Sequence, residues 1–434
     1  MTQKCLVVFL SVTALALVMA SSAAASEYKV IYAFQGGTDG SNPEAQLISD
    51  SAGNLYGVTQ FGGTHGQGTV FKLSNSGGTW SESILYSFTG SSDGGEPLGR
   101  LVMDSAGNLY GTTEGGGDPT CVQGSGYCGV VFEVFPGAGG TWTEKTLLEF
   151  TTANGREPIA GLTFDDAGNL YGSTFFGGAD GWGTVFELSP NGDGTWTQTV
   201  LHNFNLDGNG GKPNSDLVFD AAGNLYGTTA NGGLLQDCLD KFGCGTVFEM
   251  SPQAGAGWTE KPLVAFNGKN GTPPTGVVFD LSGDLVGVTP DGGVGTCSGF
   301  IVNGCGEVYE LVATAGGGFK PKVIRQFQAE PIATPNNIVV DSAGNIYGTS
   351  LAGGINACSG TQPCGTIYKA APNGSGGYTF SLLYKFPGES ANGFWPYAAL
   401  NIDSAGNIYG STGNGGDLSC GVSGGCGVVF QIIP

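Results

Sequence analysis

The sequence predicts an all-β fold, a seven-bladed β-propeller of four-stranded antiparallel blades whose ring is closed by the N-terminal strand. Three observations predict it. The segment Asp-x-x-Gly-(Asn/Asp)-(Leu/Ile) recurs seven times, starting at Asp50, Asp104, Asp165, Asp220, Asp280, Asp341 and Asp403. Repeats of this size in a Gly-rich chain of short alternating strands mark a propeller. The third observation is a strand count that leaves the last repeat one strand short and the N-terminus one strand over.

One repeat, Pro97 to Phe150, shows how each element is assigned. Arg100 to Met103 forms a short strand a. Ser105-Ala106-Gly107 is a tight turn, in which Asp104 can accept backbone N–H groups and Gly107 can take positive φ. Strand b is Asn108 to Thr113, followed by a long loop carrying Cys121 and Cys128. Strand c is Val130 to Val134, and strand d runs from Trp142 to Phe150 with the period of two that a pleated sheet requires.

Strand c supplies Phe71, Phe132, Phe186, Phe248, Tyr309, Tyr368 and Phe430. Strand d ends only six times, at Phe88, Phe150, Phe204, Phe266, Phe327 and Phe386. The seventh d strand is Tyr28 to Phe34, which aligns with the segment ending at Phe386. Without it, the last blade would present an open edge at Val428 to Ile433, a pairing hazard.

Lys and Arg number 15 against 36 Asp and Glu, a net charge of −21. So acidic a chain repels phosphate backbones and anionic lipid, which excludes nucleic acid as a partner. Residues 1–25 read as a secretory signal, with Lys4, the apolar Leu6 to Met19, and a cleavage site at Ala23-Ala24-Ala25. That apolar run is shorter than the roughly 20 residues of a spanning helix. Residues 26–434 would then form one propeller, secreted and monomeric. Ten cysteines follow residue 25, in five close pairs: Cys121/Cys128, Cys238/Cys244, Cys297/Cys305, Cys358/Cys364 and Cys420/Cys426. Local pairing and an export signal argue for five disulfides. The spacing does not fit structural zinc, so no metal or cofactor is assigned.

The pattern Leu-Tyr-Gly-Thr-Thr, Gly-Gly, Gly-Thr-Val-Phe-Glu-Leu stands at Leu225 to Thr229, Gly232-Gly233 and, with Met in place of the last Leu, at Gly245 to Met250. It resembles the GloVer-type tandem-repeat family of exported bacterial proteins, whose C-terminal anchors vary. The resemblance covers the whole chain beyond the signal. It implies export and a repeat β-fold, and it carries no chemistry to transfer. No anchoring segment follows Pro434, so free release is expected.

The a–b turns are near-copies and read as structural, each with too few oxygens for calcium. The opposite face, with the b–c and d–a connections, varies. Four residues before each turn Asp stand Gln46, Arg100, Gly161, Asp216, Gly276, Asn337 and Ala399. Differing polar groups around a pore suit a ligand, here an extracellular glycan or protein. The alternative is contact with channel water alone. Trp182, Trp395 and Tyr397 lie in loops of this face and could stack on a sugar or pack beneath their loops.

Catalysis has less support. His65 is the one plausible general base, and His202 falls inside a strand. No H-E-x-x-H, P-loop or G-x-S-x-G motif occurs. Glu44, Glu96, Glu157 and Asp216 could serve as acid and base across the channel mouth, as in an exported lyase or glycoside hydrolase. A purely scaffolding role is the third reading.

Overall fold

The computed structural model describes residues 26–433 except 122–127, 207, 235–237, 239–241, 256, 296, 298–303, 317, 329–331, 355–363 and 389–390. The expected signal at 1–25 and Cys358 therefore lie outside the described residues. Seven antiparallel sheets follow one another along the chain. Blade two is typical: Val102–Met103, Leu109–Thr113, Val130–Pro136 and Trp142–Glu149 in the order a, b, c, d. Strand a, expected from Arg100, shrinks to two residues where the wedge-shaped blades crowd towards the axis. Blade four adds Gly211–Pro213 to its sheet, and strand a of blade six is longer, Ile332–Val340.

The ring closes as the strand count requires. Glu27–Ala33 pairs antiparallel with Val428–Ile433, with Tyr28 opposite Ile432 and Ala33 opposite Val428. It forms the outer edge of a sheet completed by Ile408–Thr412 and Asn401–Ile402. Just beyond it, the Phe34 amide donates to Gly427 O at 3.0 Å.

Phe34 also explains the aromatic at the end of every d strand. In all seven blades this ring is buried, and its amide donates to the glycine that precedes strand c. The ring then meets the strand-c aromatic of the next blade, as in Phe34 with Phe71 at 5.1 Å and Phe88 with Phe132 at 5.0 Å between centroids. Edge-to-face pairs of this kind favour the quadrupoles of both rings. The strand-c ring lies across the glycine of strand b. A Cβ on Gly111 would stand 2.6 Å from the Phe132 ring, so only glycine fits inside this strand.

The a–b turns are self-contained. Asp104 Oδ1 accepts from the amides of Ala106 and Asn108 at 2.9 Å, and Oδ2 from Asn108 Nδ2 at 2.8 Å and the Tyr110 hydroxyl at 3.2 Å. Gly107 takes φ 87°. Blade five breaks the pattern, with Asp284 in place of Asn and Val286 in place of Tyr. There Asp280, Asp284 and Glu310 bring carboxylate oxygens within 4.8 Å of one another, and Lys322 Nζ holds Glu310 at 2.7 Å.

Four disulfides join Cys121–Cys128, Cys238–Cys244, Cys297–Cys305 and Cys420–Cys426. Cys364 is also disulfide-bonded. Among the described residues, no helix is long and apolar enough to cross a membrane.

Candidate functional site on the loop face

The b–c and d–a connections share one face and are tied together there. Bridges join Ser41 to Phe61, Gly95 to Gly115, Arg156 to Phe176, Thr272 to Asp291 and Phe394 to Asn414. This face leads into a central cavity of about 410 Å³ whose wall includes residues of all seven blades.

Around the mouth a dipeptide X-Pro recurs, and X takes a left-handed conformation in six blades: Asn42, Glu96, Glu157, Lys212, Thr334 and Trp395, with φ between 53° and 57°. The reason is a contact between blades. Each of these amides donates to the carbonyl of the residue that ends the preceding blade's b–c loop. The six acceptors are Cys426, Gln67, Cys128, Trp182, Cys305 and Cys364, at 2.7–3.0 Å. In blade five the corresponding residue is Pro273, which has no N–H. The Thr272 hydroxyl takes over and donates to Cys244 O at 3.3 Å. Five of the seven acceptors are thus the second cysteine of a disulfide pair, and blades one and three use Gln67 and Trp182 instead.

Inside the cavity, the polar residues singled out in the sequence mostly bond to neighbouring blades. Arg100 Nε meets Asp216 Oδ2 at 2.9 Å, and Asp216 Oδ1 accepts from Gly161 N at 2.6 Å. Gln46 Nε2 donates to Leu400 O at 2.8 Å, and Asn337 Nδ2 to Tyr397 O, also at 2.8 Å. Asn336 reaches the same Tyr397 carbonyl. Glu44, half-buried in the wall, is different. Burial pushes its carboxyl up to about 7.

Trp182 and Trp395 are half-buried rather than exposed. Trp395 lies against the buried Phe394 at 5.1 Å. Trp182 belongs to a larger group that the sequence reading missed. Phe176 is approached by two cations, Arg156 at 4.5 Å and Lys212 at 4.8 Å from the ring centroid. Lys212 also stands 5.3 Å from the Phe175 ring and 5.6 Å from Trp182, and Trp182 meets the exposed Phe242 at 5.6 Å. Arg156 pairs with Glu157. Beside Arg156, the loop Gly177 to Gly181 borders a depression of about 660 Å³ that also exposes Asp180.

Of the carboxylates considered as acid and base, Glu44 and Asp216 line the cavity. Burial raises Glu96, and burial followed by the charges of Glu96 and Glu157 raises Glu114, a neighbour the sequence did not mark. Asp216 is engaged by Arg100. His65 is exposed in its loop, and His202 sits in strand d opposite Val185. The missed residues did carry a signal, since the X-Pro dipeptide is readable in every blade. Its meaning lies in the φ angle and the partner carbonyl, which letters alone do not give.

Comparison with solved structures gives the fold alone. A putative 6-phosphogluconolactonase from Bacteroides uniformis aligns with TM-score 0.51 and 14% identity, covering 88% of this chain and 98% of its own. A fungal alcohol oxidase in complex with copper gives 0.51 and 12%, over 94% and 76%. The extracellular domain of a putative hybrid two-component system from B. thetaiotaomicron gives 0.50 and 10%, over 93% and 39%. No curated protein matches the chain. The sequence itself is more informative: the repeat model matches residues 15–121 and 119–302, and the chain belongs to the Gloeobacter/Verrucomicrobia repeat family.

Proposed function

We propose that the protein is an exported binding propeller that recognises a glycan or protein on the face carrying the b–c and d–a loops. One observation carries the reading. At six equivalent positions around the mouth, a non-glycine residue is held at positive φ, a conformation that costs about 1–3 kcal/mol. Glycine would relieve that cost, and this chain has 81 glycines. The backbone bond made there needs no side chain, yet an amide, two carboxylates, an ammonium, a hydroxyl and an indole are placed on one frame. Side chains kept against strain, and of five chemical kinds, suit recognition.

Export is supported by the reading of residues 1–25 and by the local disulfides, which persist in oxidising compartments. The test is a screen of the protein from residue 26 onward against glycan arrays and extracellular extracts, with Glu96→Gly and Trp395→Gly compared. These variants keep the amide and lose the side chain. A ligand whose binding ignores every such change on this face would remove the assignment.

A second reading, a carboxylate-dependent lyase or glycoside hydrolase, draws support from Glu44, whose carboxyl near 7 suits proton transfer at neutral pH. Turnover of a polysaccharide that survives Glu44→Gln would exclude it.

A further inference from the structure

Resting on the binding reading above, we infer that the blade three–four sector of the loop face holds an acidic sugar, its ring against Trp182 and Phe242 and its anionic group on Lys212. The positions are set by the fold. Lys212 N donates to Trp182 O at 2.7 Å, so the lysine and the indole are locked to one another through the backbone. Lys212 occupies one of the strained positions, at φ 57°. Its ammonium is flanked by three rings at 4.8–5.6 Å, which orients the charge and partly strips its water.

The charge pattern distinguishes this cation from the others of the sector. Arg156, on the same Phe176 ring, is engaged by Glu157, and Asp180 stands at the border of the depression. Lys212 forms no ion pair with a described carboxylate, in a chain of net charge −21 where carboxylates outnumber cations more than twofold. Among the described residues, Phe176 is the single ring that two cations approach. Glu157 answers the charge of Arg156, whereas the Lys212 ammonium lacks an anion among the described residues. A carboxylate or sulfate on a sugar supplies that anion. The tilted Trp182–Phe242 pair, with Phe242 exposed, supplies the apolar surface on which the C–H face of the sugar can lie. The depression of about 660 Å³ beyond Arg156 gives a chain of sugars room to continue.

The experiment is affinity electrophoresis and calorimetry with sodium polygalacturonate, dextran sulfate and plain dextran. Binding of either acidic polymer, weakened by salt, is expected, with dextran inert. Lys212→Met should weaken it at least tenfold, Lys212→Arg should retain it, and Trp182→Ala should weaken it at least tenfold. The polymer preferred tells carboxylate from sulfate. Equal binding of dextran, or acidic binding indifferent to Lys212→Met in a protein of unchanged melting temperature, would overturn the acidic-sugar assignment and leave the binding face standing. Failure of all three polymers overturns the inference as well. If the array and extract screens are also blank, the binding reading fails with it.

Discussion

Arg100 of blade two and Asp216 of blade four are joined across blade three, Nε to Oδ2 at 2.9 Å, over a glycine that leaves them room. A Cβ on Gly161 would stand 2.8 Å from Arg100 O and 3.0 Å from Asp216 Oδ1. The salt link and the amide of Gly161 tie three blades together at the axis, where strands are shortest and ladder bonds fewest. Gly161→Ala is expected to destabilise by about 1–3 kcal/mol, the cost of overpacking a close contact. Asp216→Asn should weaken the same link. Chemical denaturation of both variants checks this, and wild-type stability in either would show that the axial link contributes nothing.

Phe34→Ala should be among the most damaging single changes. The ring is fully buried between the last blade and the first, so its loss costs about 3–5 kcal/mol. Deleting residues 26–34 removes the whole edge strand and should be worse. The melting temperatures of both forms are the readout, and near-equality with the parent would contradict the closure mechanism.

Blades five and six carry tyrosine where the others carry phenylalanine in strand c. The Tyr309 and Tyr368 hydroxyls are buried without a hydrogen-bond partner among the described residues. Burial raises the pKa of both phenols, for Tyr309 with the charge of Glu307 added. A buried orphan hydroxyl costs about 1–3 kcal/mol, so Tyr309→Phe and Tyr368→Phe should each stabilise the fold. Lower melting temperatures would mean that each hydroxyl has a partner in solution.

Stability should fall with rising pH between about 4 and 7. Burial raises Glu44, Glu82 and Glu144 to about 7 and Asp291 to about 6. The charges of Asp39 and Asp93 add to the effect on Glu82 and Glu144. These folded values exceed the roughly 4 of solvated carboxyls, so the native state binds protons that the unfolded chain has released. The stabilisation is fully present below about pH 4 and lost as pH passes through 7. A melting-temperature profile should show this slope, and Glu44→Gln, Glu82→Gln and Glu144→Gln should flatten it together. A flat parent profile over that window would refute it.

Asp284→Asn should raise stability at neutral pH. In six blades an asparagine donates its side-chain amide to the turn aspartate, as Asn108 does to Asp104. In blade five a third carboxylate stands near Asp280 and Glu310 instead. Restoring the amide removes a like charge and adds a donor. An unchanged or lowered melting temperature would argue against repulsion in that turn.

The sequence by itself determined the number of blades, the strand order and the closure of the ring. These follow from periodic signals: a turn aspartate, the strand-c aromatic and the aromatic that ends each d strand. The ring contact of Phe34 with Phe71 came from the structure, whereas the pairing of Tyr28 to Phe34 with the last blade was legible as the missing edge. Four of the five expected disulfide pairings were legible for the same reason, since each of those pairs is local. Only the tertiary structure decided what the loop face presents. It turned Gln46, Arg100, Asp216 and Asn337 into ties between blades, because their partners are carbonyls and charges of other repeats. It also gathered Lys212, Phe176 and Trp182, which are separated in sequence and meet only because one backbone hydrogen bond joins successive blades. Repetition writes the frame into the letters, whereas the contents of the site depend on how unlike loops from adjacent blades come to touch.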